Sequence, residues 1–296
     1  MGIRDDVSMH WRTGGAAVRL ILINLGVFLL YHAVGLVLFL TGTPEPDLLK
    51  WLMATSHLPA LALRPWTVVT YMFTHADVFH IFFNLLMLWF SGRLFEDLLG
   101  PKRLLGNYLL GGLFGLALYI LAYNLFPPFQ RFATGSTILG ASAAVMGVFI
   151  GIAAYRPDMV VHLILFGAVR LKWIALIYVV IDLVSIRQGS NSGGHIAHLG
   201  GALLGYLTAV QLRRGRDVST AFIGWFEGAW DLLSGRKARR LKVAHRGRVA
   251  VMADQVPAHK RDKQARVDAI LDKISRSGYD SLSKEEKDFL FKASHE

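Results

Sequence analysis

Ile138-Leu139-Gly140-Ala141-Ser142-Ala143-Ala144-Val145-Met146-Gly147 holds one hydroxyl, Ser142, near the start of an apolar segment that continues to Tyr155. The segment has about the length that crosses a hydrocarbon core roughly 30 Å thick. A second stretch, Gly193-Gly194-His195-Ile196-Ala197-His198-Leu199-Gly200-Gly201, sets an imidazole at a similar distance from its own segment start. Ser142 is about five residues into the first segment and His198 about four into the second. At roughly 1.5 Å per helical residue their depths agree within a few ångströms. Both segments carry small-residue ridges, Ala143, Gly147 and Gly151 on one, Gly201 and Gly205 on the other, and such ridges let helix backbones approach closely. Taken alone, Ser142 reads as a packing residue of that ridge, whereas an ionisable group inside a span is costly and marks function. Together they pair an alcohol with a base. A serine hydroxyl is a poor nucleophile until a neighbouring base takes its proton, and His198 is the candidate for that role.

The rest of the chain sets these two residues in a membrane. Of 296 residues 53% are hydrophobic and 18% charged, and the mean hydropathy is +0.41; a soluble domain is nearer 45–50% apolar with about 25% charge. The excess falls in blocks, which predict helical spans at about 18–40, 78–99, 104–126, 137–155, 171–186 and 194–212. The expected fold is therefore all-α, a polytopic membrane protein with a six-helix bundle. Residues 160–169 are apolar but too short to cross, which predicts a re-entrant or interfacial piece. The long connection 41–64 contains Pro44, Pro46 and Pro59 and an amphipathic piece, Leu48, Leu49, Trp51 and Leu52, suited to an interface.

The absence of cysteine excludes disulfides, thiolate metal sites and cysteine nucleophiles. No cleavable signal is expected, because the first apolar segment is longer than a signal-peptide core. The net charge of +11 follows the positive-inside rule and does not indicate a nucleic-acid partner. Arg93, Lys102, Arg103, Arg156, Arg170, Lys172, Arg213, Arg214 and Arg216 gather on one side with Arg4, Arg12 and Arg19, against only Lys50, Arg64, Arg131 and Arg187 on the other. Both termini are thus expected in the cytoplasm, with Ser142 and His198 in the outer half of the membrane. Four regions follow: an N-terminal arm (1–16), the membrane domain (17–213), an amphipathic and basic juxtamembrane segment (214–263) and a small helical hairpin (264–296). In the third, Phe222, Phe226, Trp230 and Leu233 fall on one helical face, and Arg236 to Arg248 supply a run of cations for anionic lipid headgroups. In the fourth, Ser283 and Glu286 fit a capping box and Gly278 a break between helices.

A third cluster is His75-Ala76-Asp77-Val78-Phe79-His80-Ile81-Phe82-Phe83-Asn84. His80 and Asn84 are four residues apart and share a helical face. Attack on a carbonyl develops an oxyanion, and an imidazole N–H, an amide NH₂ and the Ser142 backbone N–H are suitable donors. Alone, Asn84 reads as interhelical glue and His80 as a satisfied core polar group. Histidines 75, 80, 195 and 198 are metal-ligand types, but the His-Glu-x-x-His arrangement of zinc proteases is missing. Asp77 and Asp182 lack ligand spacing. No metal and no cofactor is expected; Asp182 is expected as a paired polar group near the outer end of the fifth span.

These residues, in this order and on these spans, resemble the rhomboid family of intramembrane serine proteases. The resemblance covers about residues 18–213. It implies a six-helix bundle, a Ser142–His198 dyad without a third acid, and an oxyanion hole of His80, Asn84 and the Ser142 amide. His75 would stand near the site's water or support the site. The activity implied is a serine endopeptidase acting on transmembrane proteins. The tail resembles the cytoplasmic extensions of bacterial rhomboids, which implies a bacterial inner membrane. Three departures stand out: Ala143 where the family's serine motif ends in glycine, Met146 where an aromatic residue usually stacks on the base, and Trp66-Thr67 in place of a Trp-Arg pair. These departures leave a rival reading, an inactive relative that binds transmembrane helices as a chaperone or adaptor.

Overall fold

The structure, a computed structural model, describes residues 2–43, 48–163, 167–189, 191–234 and 258–294. A helix stands at each of the six expected positions: α1 Gly15–Leu40, α2 Val78–Leu99, α3 Pro101–Leu125, α4 Ser142–Tyr155, α5 Leu171–Ser185 and α6 Ser192–Arg213. Three of them, α1, α2 and α3, are long and apolar enough to cross a membrane, and α4 is a shorter apolar helix. Short length suits α4, because it is wrapped in protein: every residue from Ala143 to Ala153 is buried. By contrast, α1 and α5 turn large apolar side chains outward, Leu29, Leu30 and Phe39 on one and Leu176, Ile177 and Val180 on the other. An apolar exterior around a small-residue interior is the arrangement of a bundle solvated by lipid.

Local chemistry fixes the helix ends. Asp77 caps α2 by accepting the His80 backbone N–H at 2.7 Å. That helix stops at Gly100, and Pro101 opens α3 directly, since proline at a first helical position loses no hydrogen bond. The backbone N–H groups of Ala16 and Ala17, at the start of α1, donate to the Glu96 carboxylate at 2.7 and 2.9 Å. This ties α1 to α2 with a negative charge at a positive helix end.

One boundary is corrected. The fourth helix begins at Ser142, not near residue 137. Thr137 and Ile138 instead form a short strand, β2, paired antiparallel with β1, Ala54–Thr55, and Gly140 has φ +117°, which a helix cannot accommodate. Ser142 is thus the first residue of its helix, while His198 lies well inside α6. The expected agreement in depth is met, since the two side chains touch, but it comes from the close approach of α4 and α6 at their glycines and not from equal distances to the helix starts.

Those glycines form the seam between α4 and α6. A methyl group added at Gly201 would overlap the Ala143 carbonyl oxygen, and one at Gly205 would overlap that of Gly147 and come within 2.8 Å of the Gly151 nitrogen. On the third side α3 joins the pair through Asn107, which is fully buried. Its amide donates to the Gly147 carbonyl at 2.8 Å and its oxygen accepts from Thr208 at 2.7 Å, so one side chain bridges α3, α4 and α6. Asn107→Leu leaves the Thr208 hydroxyl without that acceptor and the Gly147 carbonyl without its donor. The Thr208 hydroxyl keeps the Gly205 carbonyl as acceptor, so the cost is that of the lost hydrogen bonds, about 0.5–1.5 kcal/mol each. The expected result is a lower unfolding midpoint in a denaturing-detergent titration, and an unchanged midpoint would show the bridge to be idle.

The connection before α2 is held by its own contacts. The helix Leu48–Leu52 forms within the amphipathic piece. Trp66 stacks on Trp51, with ring centroids 5.9 Å apart and planes 5° from parallel, and its Nε1 donates to the Trp51 carbonyl at 2.8 Å. Arg64 donates to the Lys50 carbonyl and Thr70 to that of Leu52. The loop is therefore anchored without the family's Trp-Arg pair. Pro44 and Pro46 lie outside the described residues. Of the short apolar piece, Val160–Leu163 (β3) and Gly167–Arg170 (β4) pair as antiparallel strands, a form that suits the β-branched Val160, Val161 and Val169.

After α6 the helix Val218–Leu233, α7, forms as the apolar spacing predicts. It docks on the start of α3 through Arg103–Asp217 at 2.7 Å and Lys102–Glu227 at 2.6 Å, leaving Trp225 and Trp230 exposed. Burial pushes the Asp217 carboxyl up, but hydrogen bonds from Thr220 and Arg103 more than offset this and hold it below the usual carboxylate range. The basic run Arg236–Arg248 lies outside the described residues. Residues 238–296 form a separate unit. In it α8, Ala258–Ser277, and α9, Lys284–Ser294, flank Gly278 at φ +78°. The capping box is present: Ser283 N–H donates to Glu286 at 2.8 Å and Glu286 N–H to Ser283 Oγ at 3.3 Å.

Candidate active site

At the end of the bundle where α2, α4 and α6 begin, a cavity of about 680 Å³ is lined by His80, Asn84, Ser142, Met146, Asp182 and His198. The α4–α6 seam fixes its central contact. Ser142 Oγ and His198 Nε2 are 2.6 Å apart, hydrogen-bonding distance for a hydroxyl and an imidazole. Both side chains are half-buried, and a group in such a place is reachable by a ligand yet sheltered from bulk water.

The opposite wall comes from α2. The His80 ring lies over Gly140, so close that a Cβ on that glycine would sit 2.7 Å from its Cε1 and Nε2. Here glycine is required twice, for the positive φ and for the room. Asn84 is almost fully buried, and its amide donates to the His80 carbonyl at 2.9 Å. An amide NH₂ has two donors, so one is engaged with its own helix and one is left for the cavity. The Ser142 N–H belongs to the first turn of α4, where backbone N–H groups have no intrahelical partner and the helix dipole is positive. Donors from three sources thus face the hydroxyl's surroundings.

His75 stands behind this wall, not on the cavity. It is fully buried, its Nε2 accepts the Ala141 backbone N–H at 3.3 Å, and its ring meets that of His80 edge-on at 5.0 Å. Its contacts are those of a support for the run-in to Ser142. Met146 is buried one turn beyond Ser142 and lines the cavity. The Ala143 methyl meets α3 at a glycine: a Cβ on Gly115 would lie 2.7 Å from it. The extra carbon at 143 is accommodated by the missing one at 115.

Asp182 and His195 were legible only in outline. The spacing predicts Asp182 as a paired polar group, and it is one, with two partners: His198 Nδ1 at 2.9 Å and His195 Nδ1 at 2.7 Å, both on Oδ1. The signal that would have named the partners is the three-residue spacing of His195 and His198, which puts both rings on one face of α6. These three residues also bring ligand-type atoms within 4.8 Å of one another, the one such cluster among the described residues. Asp77, by contrast, is engaged as the cap of α2.

Comparison with known proteins places this geometry in context. The chain is 24% identical over 219 residues to RHOMBOID-like protein 12, mitochondrial, of Arabidopsis thaliana, covering 70% of this chain and 62% of that protein. It is 29% identical over 156 residues to Rhomboid protein 1, mitochondrial, of Saccharomyces cerevisiae, covering 50% and 44%. Rhomboid-like protease 2 of Toxoplasma gondii is 27% identical over 212 residues, covering 70% and 68%. The chain therefore spans about half the length of the two mitochondrial relatives, and their names lend nothing to the bacterial placement drawn from the tail. Residues 253–296 match a family of unknown function, DUF6576. The Rhomboid domain matches residues 62–215, more than half of the chain and all of the cavity's residues, and the chain is a multi-pass membrane protein that belongs to the rhomboid family.

Proposed function

We propose that this protein is an intramembrane serine endopeptidase that hydrolyses peptide bonds in or near the transmembrane segments of membrane proteins. The observation that carries the reading is the 2.6 Å contact between Ser142 Oγ and His198 Nε2 on the cavity. In the reaction Ser142 Oγ attacks the substrate carbonyl carbon while His198 Nε2 takes the hydroxyl proton. The tetrahedral oxyanion is held by the Ser142 N–H, His80 and Asn84, donors preorganised before charge develops. The C–N bond then breaks, His198 protonates the leaving amine, and the acyl group remains on Ser142. Water attacks that ester, its proton passes to His198, and breakage of the acyl–Oγ bond returns the proton to Ser142.

The substrate must present an unwound peptide bond, because a helical one is shielded by its own turn. A single-span protein with helix-breaking residues near its end fits the cavity's position at one end of the bundle. Anionic lipid headgroups are the partner proposed for the basic tail, and both termini are assigned to the cytoplasmic side by the charge bias.

A serine-directed fluorophosphonate probe tests the reading on the full-length protein in detergent. Covalent labelling of wild type at Ser142, lost in Ser142→Ala, is the expected outcome. A folded wild type that stays unlabelled would favour the rival, a helix-binding adaptor that keeps the cavity without turnover.

A further inference from the structure

We propose that Asp182 is a positioning residue for the base, holding His198 in the one tautomer that leaves Nε2 bare toward Ser142. The proposal rests on the reading of Ser142 and His198 as nucleophile and base. It departs from the dyad without a third acid that the family resemblance implies.

The geometry is a continuous relay. Ser142 Oγ lies 2.6 Å from His198 Nε2, and His198 Nδ1 lies 2.9 Å from Asp182 Oδ1. A neutral imidazole has one N–H and one lone pair, and an ionised carboxylate only accepts. With Asp182 against Nδ1, the proton must sit on Nδ1 and the lone pair on Nε2, the atom that faces the hydroxyl. When His198 takes the serine proton it becomes a cation with the carboxylate beside it. The Asp182 side chain is only 7% exposed, so this attraction is weakly screened.

His195 completes the arrangement. Its Nδ1 also donates to Asp182 Oδ1, at 2.7 Å. One carboxylate oxygen can accept two N–H donors, and two donors from one helix face fix the carboxylate more firmly than one. Asp182 is also the single acidic residue in α5, and from Trp173 to Val184 every other residue of that helix is apolar or aromatic. A carboxylate at such a place is costly unless it serves its partners. No proton leaves Asp182 in this scheme; it orients the ring and balances its charge.

The same three residues would satisfy a metal ion only if both Nδ1 atoms gave lone pairs in place of protons, so a chelator separates the readings. The experiment uses full-length protein in proteoliposomes with a single-span model substrate, with rates expressed per probe-titrated Ser142. Asp182→Asn preserves shape but lets the ring adopt either tautomer. Its kcat is expected to fall about 10²–10⁴-fold with little change in KM, as when the acid of a catalytic triad is neutralised. Asp182→Glu should recover at least about tenfold of that loss, because it restores the acceptor. In proton NMR the strongly downfield Nδ1–H resonance expected for wild type and Asp182→Glu should vanish in Asp182→Asn.

An Asp182→Asn variant with unchanged kcat per labelled site overturns the proposal, as does loss of wild-type activity on chelation. Should the Asn variant not fold, absence of the downfield resonance from wild type overturns it equally. If that resonance is present but wild type neither labels nor cleaves, the protease reading fails while the tautomer assignment stands.

Discussion

Cleavage of a single-span substrate is expected to fall by about 10³-fold or more in Ser142→Ala, and by a similar factor in His198→Ala. The two losses should not add. Nucleophile and base act as one unit across the 2.6 Å contact, so the double variant should be no slower than either single one. Neither change disturbs the seam, whose contacts run through Ala143, Gly147, Gly201 and Gly205, and so both variants should unfold at the wild-type midpoint. Removing one oxyanion donor, by His80→Ala or Asn84→Ala, should cost less, about 10²–10³-fold in kcat. The measurement is product formation by gel in proteoliposomes with matched amounts of folded enzyme. Undiminished cleavage by either the Ser142 or the His198 variant would remove the basis for the proposed reaction.

Gly201→Ala carries the second large effect, through a single methyl group. The new Cβ would overlap the Ala143 carbonyl oxygen and lie 2.9 Å from the carbonyl carbon. Its neighbours there are main-chain atoms of a buried helix, which have no rotamer to change. Overpacking of this kind costs about 1–3 kcal/mol, and relief requires α4 and α6 to move apart. That motion separates Ser142 from His198, so probe labelling should be lost along with stability. Gly224→Ala and Gly228→Ala on α7 are the controls, since beyond the local helix backbone the methyl at either position meets nothing within 4 Å; both should label like wild type. Full labelling of Gly201→Ala would mean that the seam does not set the site.

Hydropathy made the membrane domain legible because lipid selects for it along whole segments. The glycine seam was legible too, since ridges at four-residue spacing have few other uses in a span. The start of α4 was not, because an apolar extended run and an apolar helix look alike without a polar boundary. Only Gly140, with its positive φ, marks the change. His80 and Asn84 were legible as a pair from their spacing on α2. His75 was not legible as the partner of the Ala141 N–H, a contact made across 66 residues of chain. Asn107 escaped notice for a similar reason: one amide in a glycine-rich helix shows nothing of the two helices it joins. Asp182 is legible as a paired group and the spacing of His195 and His198 offers two rings on one face of α6, but that α5 brings the carboxylate to that face depends on how the two helices pack.

A joint of backbone on backbone has a thermal consequence. At Gly201 and Gly205 the nearest neighbours are main-chain carbonyls with no rotamers to change, so α4 and α6 are expected to part in a single step on heating. The serine and its base should hold their spacing up to the temperature at which the bundle itself melts, and chemical competence and helical structure should vanish on the same curve.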